Sequence, residues 1–104
     1  MGVIEIKENE FDEKVKGTKV LVDCYADWCG PCKMLGPIME KVAEEYPDVT
    51  FVKVNVDDEQ DLAVSYGVMS IPSVFFLKDG EVVDQFLGLQ QENSIKDKLN
   101  KAYR

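Results

Sequence analysis

The chain has 104 residues, enough for one domain that buries its own hydrophobic core without depending on cross-links or a metal. Its formal net charge of -8 at pH 7, with basic residues scattered singly among acidic ones, excludes the basic stripe of a nucleic-acid-binding protein. No segment approaches the ~20 apolar residues of a membrane span and the N-terminus lacks a secretory signal, so we expect a soluble cytoplasmic protein without a membrane partner.

Strand and helix signals alternate along the first half of the chain. Residues 3–6 are a short strand candidate, and Phe11 with Val15 marks one face of a short helix. Residues 19–26, KVLVDCYA, form a nearly continuous run of β-favouring residues, typical of a strand buried on both faces of a parallel sheet. We predict that this strand is the central one. Apolar side chains then recur every three or four residues over residues 29–46, which predicts an amphipathic helix.

The second half of the chain continues this alternation and adds a hairpin. Residues 50–56, TFVKVNV, are another strand, and Asp57 is a suitable N-cap for an acidic helix that ends near Gly67. Asp79 and Gly80 form the commonest two-residue hairpin turn and are flanked by strand-like runs. A C-terminal helix is predicted from one apolar face, formed by Ile95, Leu99, Ala102 and Tyr103. The predicted order of elements is βαβαβαββα.

The stretch ADWCGPCKM contains Cys29 and Cys32, two of the three cysteines in the chain. A pair at this spacing is compatible with a metal site, a structural disulfide or a redox-active pair. A structural disulfide is disfavoured in a reducing cytoplasm. Because the chain has no histidine and only three cysteines, it cannot complete a tetrahedral thiolate zinc site or a four-cysteine iron–sulfur site, and no metal is expected. The third cysteine, Cys24, lies within a predicted strand and is interpreted as a small core residue.

The position of the cysteine pair favours redox chemistry. Cys29 lies just beyond the predicted central strand, at the start of a helix whose free N–H groups and positive dipole end stabilise a thiolate. Cys32, one turn later, is expected to lie deeper in the protein and to attack the first sulfur. Gly30 and Pro31 add no charge that would stabilise the reduced thiolate further, so the reduced protein should donate electrons to other disulfides.

Two charged residues interrupt apolar strand patterns. Asp23 lies within the predicted central strand, where a carboxylate is costly to bury unless it is paired, protonated or functional. Lys53 is the same kind of anomaly in the neighbouring strand, and we expect the two side chains to face each other. The simplest interpretation is a buried ion pair that fixes strand register.

The stretches VDCYADWCGPCKMLGP, KVNVDD, YGVMSIPSVFFLKDGE and FLG resemble the thioredoxin family over essentially the whole chain. The resemblance implies a single thioredoxin domain over residues 1–104, an α/β fold with a central five-stranded mixed sheet flanked by four helices. It also implies that the last hairpin is antiparallel to the other strands, an orientation that periodicity alone does not give.

The resemblance also implies roles for individual residues. Cys29 matches the nucleophile and Cys32 the resolving cysteine, while Asp23 matches the proton acceptor beneath Cys32, with Lys53 tuning it. Pro72 matches a cis-proline that faces the disulfide, although it could simply begin an edge strand. The backbone beside this proline is expected to pair with an extended substrate segment. The implied substrate-binding residues are Trp28, Gly30, Pro31, Ile71, Pro72, Gly88 and Leu89.

We therefore expect a monomeric, general protein disulfide reductase that needs no cofactor besides the Cys29–Cys32 disulfide. Thioredoxin reductase is the implied electron donor, and diverse disulfide-containing proteins are the implied substrates. The alternative is a redox-independent protein-binding module that uses only the patch around Pro72 and in which the cysteines are dispensable. A glutathione-dependent glutaredoxin is the nearest redox competitor, but Gly30 and Pro31 stand where that family frequently has proline and tyrosine.

Overall fold

The computed structural model describes residues 2–7, 10 and 19–103, which form five strands and three helices. These elements are β1 (Val3–Glu5), β2 (Lys19–Tyr25), α1 (Gly30–Glu45), β3 (Thr50–Asn55), α2 (Gln60–Ser65), β4 (Ser73–Lys78), β5 (Glu81–Leu87) and α3 (Glu92–Ala102). The helix predicted around Phe11 and Val15 lies outside the described residues. The other three predicted helices are each confirmed in place and type.

The five strands form one mixed sheet in the order β1-β3-β2-β4-β5. Strand β2 is central, as its apolar sequence predicts, and it pairs in parallel with β3 and antiparallel with β4. Strand β5 is antiparallel to β4 and therefore runs in the same direction as β2, so the orientation implied for the last hairpin is confirmed for β4 only. The carboxyl ends of β1, β2 and β3 therefore meet at one edge of the sheet, where the cysteine pair follows β2.

Helices cover both faces of the sheet because the strands carry apolar side chains on both. Leu21 belongs to a core cluster that includes Leu35 of α1 and Ile95 of α3. Val22, the next residue along β2, belongs to a second cluster on the other face, against which Leu62 of α2 packs. Both faces of the central strand are thus buried. Because successive side chains of a strand point to opposite faces, neighbouring residues of β2 contact different helices. None of the described helices is both long and apolar enough to cross a membrane.

The turn between β4 and β5 has the backbone that its sequence predicts. Asp79 has φ of 53° and Gly80 has φ of 85°, so both central residues lie in the left-handed region required by a type I′ turn. This agreement confirms the predicted hairpin.

The prediction that Asp57 caps the acidic helix is wrong. Helix α2 begins at Gln60, its N-cap residue is Glu59, and no side chain caps it. The Asp57 carboxylate instead accepts a hydrogen bond from the indole N–H of Trp28, at 2.8 Å. Trp28 lies 29 positions away in sequence, so a long-range contact holds the Asp57 side chain that the local pattern would assign to the helix cap.

Candidate active site

Cys29 and Cys32 form a disulfide at the N-terminus of α1, with their Cα atoms 5.3 Å apart. Cys29 is the N-cap residue of this helix, and its Sγ accepts a hydrogen bond from the backbone N–H of Cys32, at 3.2 Å. Pro31 occupies the first turn, where its missing N–H costs no helical hydrogen bond. After reduction, the same N–H group and the helix dipole would stabilise a thiolate on Cys29.

Cys29 and Cys32 are both buried in this disulfide form, so the expectation that Cys32 lies deeper than Cys29 is not confirmed. Only 4% of Cys29 and 7% of Cys32 is exposed, because both pack in a small cluster with Ala26, against which Tyr25 and Ile71 also pack. The two sulfurs differ in their surroundings. The Sγ of Cys29 lies 3.9 Å from the backbone carbonyl oxygen of Ile71, whereas Cys32 lines a cavity of about 210 Å³ shared with Asp23.

Asp23 is buried at the wall of this cavity, on the same face of β2 as Leu21 and hence beneath α1. Its Oδ1 has no hydrogen-bond partner in the described part of the chain. Burial raises the pKa of Asp23 from its ordinary value of 3.8 to about 7, against a smaller lowering by the Lys53 ammonium. This carboxyl group can therefore take up or release a proton close to neutral pH.

Lys53 faces Asp23 as predicted, since the two residues are Cα partners across β2 and β3. The ion pair of the simplest interpretation is not formed, however, because no salt bridge within 4 Å joins them among the described residues. The Nζ of Lys53 instead lies over the ring of Tyr25, 5.4 Å from its centroid. The lysine also lines the cavity that contains Asp23 and Cys32.

The predicted substrate-binding residues lie in three segments: beside Cys29, at Ile71–Pro72 and at Gly88–Leu89. The Ile71–Pro72 peptide bond is cis, and β4 begins at the next residue between β2 and β5, so Pro72 does not begin an edge strand. The N–H of Gly88 donates to the carbonyl of Pro72 at 2.8 Å, which joins the two loops. Gly88 has φ of 78°, and Leu89 follows it on the surface. Trp28, Gly30 and Pro31, which are next to Cys29 in sequence, are all exposed, and Trp28 lines a groove together with Ile71.

Sequence reasoning missed a groove of about 550 Å³ that extends the predicted patch from Trp28 and Ile71 towards α2. Val64 and Met69 line it and are 77% and 97% exposed. It also missed Asp57, which holds the Trp28 indole at the mouth of this groove. The available signal was the apolar sequence in and after α2, where Leu62 packs against the core but Ala63, Val64 and Met69 line the groove.

A mixed five-stranded sheet with a Cys-Gly-Pro-Cys disulfide at the start of the helix after its central strand defines a thiol–disulfide oxidoreductase. The family model described as Thioredoxin matches residues 2–101. A thioredoxin of Mycoplasmoides gallisepticum is 49% identical over 81 residues, which cover 78% of this chain and 81% of that protein. A thioredoxin of Bacillus subtilis is 39% identical over 102 residues, which cover 97% and 98% of the two chains.

A solved structure shows the same similarity in three dimensions. A mutant thioredoxin from Halobacterium salinarum NRC-1 matches with a TM-score of 0.90 and 38% identity, covering 98% of this chain and 91% of that chain. The chain belongs to the thioredoxin family. Its Cys29–Cys32 disulfide and its relatives support a protein disulfide reductase, so the redox-independent binding module is not favoured. Within the described residues, no group of three or more His, Cys, Asp or Glu side chains could hold a metal ion.

Proposed function

We propose that this chain is a general protein disulfide reductase in which Cys29 attacks the substrate and Cys32 resolves the intermediate. The observation that carries this assignment is the N-cap position of Cys29, whose sulfur accepts the Cys32 N–H. The Cys29 thiolate attacks one sulfur of a substrate disulfide, whose S–S bond breaks to release one substrate thiolate. The Cys32 thiolate then attacks Cys29, which releases the second substrate thiolate and re-forms the Cys29–Cys32 disulfide. Two electrons pass from the dithiol to the substrate.

Asp23 is proposed to accept the proton of Cys32 before the resolving attack. The cavity shared by the two residues and the pKa of about 7 for Asp23 both support this role. Lys53 is proposed to tune this carboxyl group, since its ammonium lowers the same pKa. The four polar participants are thus two sulfurs, one carboxyl group and one ammonium group.

The substrate is proposed to bind as an extended segment across the cis-proline loop. The Ile71 carbonyl beside Cys29 is available to a partner backbone, as in strand addition. The bond from Gly88 to Pro72 fixes the neighbouring loop, and the exposed Trp28 and Leu89 offer apolar contacts. Since Gly30 and Gly88 have nothing within 4 Å of an added Cβ, a partner's backbone has room to approach closely. Such a shallow surface suits many different protein disulfides.

The remaining parts of the proposal concern the setting of the reaction. We propose that residues 1–104 form a single thioredoxin domain that acts as a monomer in the cytoplasm. The proposed electron donor is a thioredoxin reductase, and the proposed substrates are diverse disulfide-containing proteins. The similarity to bacterial thioredoxins over nearly the whole chain supports these assignments. Neither nucleic acid nor a membrane is a proposed partner, in agreement with the net charge of -8.

An insulin reduction assay tests the proposed function. Catalytic amounts of the reduced chain should accelerate insulin precipitation by dithiothreitol, and a bacterial thioredoxin reductase with NADPH should replace dithiothreitol as electron source. The Cys29→Ser/Cys32→Ser variant is the control and should show no acceleration. A wild-type protein that accelerates neither reaction would refute the assignment, and activity with dithiothreitol alone would refute only the proposed electron donor.

A further inference from the structure

Three charged side chains lie in one row across the carboxyl ends of β1, β3 and β2. Lys53 is the Cα partner of Glu5 on one side and of Asp23 on the other. Paired residues of parallel strands present their side chains on the same face, so Lys53 is placed between two acidic residues. Among the described residues, no ion pair within 4 Å joins Lys53 to either.

The Lys53 ammonium lies instead over the aromatic ring of Tyr25. Its Nζ is 5.4 Å from the ring centroid, within the range of a cation–π interaction. The Tyr25 hydroxyl donates a hydrogen bond to Oε2 of Glu5, at 2.8 Å. The ring is therefore fixed at one end by the backbone of β2 and at the other by the carboxylate of β1. The face of the Tyr25 ring thus gives the Lys53 ammonium group a contact other than the Asp23 carboxyl group.

The position of the Lys53 ammonium group affects the ionisation of the Asp23 carboxyl group. A full ion pair with Lys53 would hold this carboxyl group ionised well below neutral pH. In the observed arrangement, Oδ1 of Asp23 is buried without a hydrogen-bond partner and burial outweighs the attraction of Lys53. Asp23 shares its cavity with Cys32 on α1, and Val74 is its Cα partner on β4. The other charged residues that line the cavity are Asp27 and Lys33.

We propose that Tyr25, held by Glu5, is a positioning residue that keeps the Lys53 ammonium off the Asp23 carboxyl group, so that Asp23 can carry the proton of Cys32. The inference rests on the proposed role of Asp23 in the resolving step. It adds a function for Tyr25, whose ring packs against the cysteine cluster, and for Glu5, which accepts the hydrogen bond of the Tyr25 hydroxyl.

The test is a ¹³C NMR titration of the Asp23 carboxyl group in the oxidised, full-length protein, with its signal assigned by Asp23→Asn. Removing the ring in Tyr25→Leu should allow Lys53 to approach, so the pKa of Asp23 should fall by about one pH unit or more. Tyr25→Val provides a second ring-free variant, with a β-branched side chain suited to a strand. Tyr25→Phe retains the ring face but loses the hydrogen bond to Glu5, so the pKa of Asp23 should fall less in this variant than in Tyr25→Leu.

A double-mutant comparison separates positioning from structural support. In a Lys53→Met background, Tyr25→Leu should leave the pKa of Asp23 unchanged, because no ammonium remains to be released. An unchanged or raised pKa in both ring-free variants would overturn the proposal. So would the same fall in the Lys53→Met background, or a fall in Tyr25→Phe as large as in Tyr25→Leu.

This titration does not depend on turnover, so its failure can be told from failure of the proposed function. If Asp23→Asn does not slow the resolving step, the proton-acceptor role is wrong whatever the titration shows. If Asp23→Asn slows that step but the ring-free variants do not change the pKa, only the role of Tyr25 is wrong. A purely structural effect of Tyr25 would lower the free energy of unfolding without moving the Asp23 titration.

Discussion

Two cysteines close together in sequence have opposite chemical environments. Cys29 is the N-cap residue of α1 and accepts a backbone N–H bond, which favours a thiolate after reduction. Cys24 is as little exposed as Cys29, at 4%, but it lies inside β2, where no free helix N–H groups stabilise a thiolate. Burial, followed by the nearby Asp23 carboxylate, raises the pKa of the Cys24 thiol to about 12. Residue type alone therefore does not decide reactivity, whereas position in a strand or at a helix terminus does.

The first prediction concerns the inert thiol. In the oxidised native protein, Cys24 should not react with Ellman's reagent, and it should react fully once urea unfolds the chain. Cys24→Ala should retain insulin reduction and lose about 1 kcal/mol of unfolding free energy, because a small buried group is removed. Rapid labelling of the folded protein would show that Cys24 is accessible and would contradict the assignment.

The second prediction concerns Asp23, whose folded pKa of about 7 lies above its ordinary value of 3.8. Because the folded state then binds the proton more tightly, the stability linked to this group is present at low pH and is lost as pH rises from 3.8 to about 7. Asp23→Ala removes this loss. The variant should therefore be more stable than wild type at pH 8, by about 1 to 4 kcal/mol, with a smaller difference at pH 5.

Urea unfolding of both oxidised proteins at the two pH values measures this difference. Asp23→Asn is the matched control, since it keeps a polar group of similar size but cannot titrate in this range. It should remove the pH dependence without the full gain in stability. A variant less stable than wild type at both pH values would mean that Asp23 mainly supports the structure.

At the scale of elements, local signals predict element type better than they predict contacts. The Asp79–Gly80 turn is confirmed because its backbone requirement is local, with φ above zero at both positions. Asp57 fails as an N-cap because its carboxylate bonds Trp28, a contact that no local pattern contains. The cis form of Pro72 follows from family resemblance, since most X–Pro bonds are trans.

The third prediction follows from the bond between Asp57 and Trp28. Asp57→Ala should free the indole, which is the only tryptophan of the chain, and shift amplitude from the slow to the fast component of its fluorescence anisotropy decay. The KM for insulin should rise about two- to tenfold, as the loss of one hydrogen bond permits. Asp57→Asn keeps an acceptor oxygen and should resemble wild type. An unchanged KM in Asp57→Ala would show that the indole position does not matter for binding.

The fourth prediction compares one substitution at two glycines. Gly80→Ala should lower the free energy of unfolding by about 1 to 2 kcal/mol, because φ of 85° places an L side chain in the left-handed region. Gly36→Ala, inside α1, gains helix propensity but places a Cβ before Pro37, whose ring disfavours it, so the unfolding free energy should change by less than about 0.5 kcal/mol. Urea midpoints give both values, and equal effects of the same sign would contradict the assigned conformations.

At the scale of the whole molecule, the fold places the redox pair above a buried acid. The sequence pattern predicts β2 as the central strand and Cys29 at the start of a helix, because both follow from periodicity. It also identifies Asp23 and Lys53 as charges in apolar strands. The cavity that joins Asp23 to Cys32 could not be predicted in this way, since it depends on how α1 crosses the sheet. The position of Lys53 over Tyr25, rather than against Asp23, depends in the same way on side-chain packing.

The central claim is the division of labour between the two sulfurs of one disulfide. The most direct test incubates Cys29→Ser and Cys32→Ser, each with Cys24→Ala, with a peptide disulfide and detects adducts by intact-mass spectrometry. Cys32→Ser should accumulate a mixed disulfide through Cys29, because no second thiolate resolves it, while Cys29→Ser should accumulate far less. A mixed disulfide that forms equally fast in the Cys29→Ser variant would contradict the account.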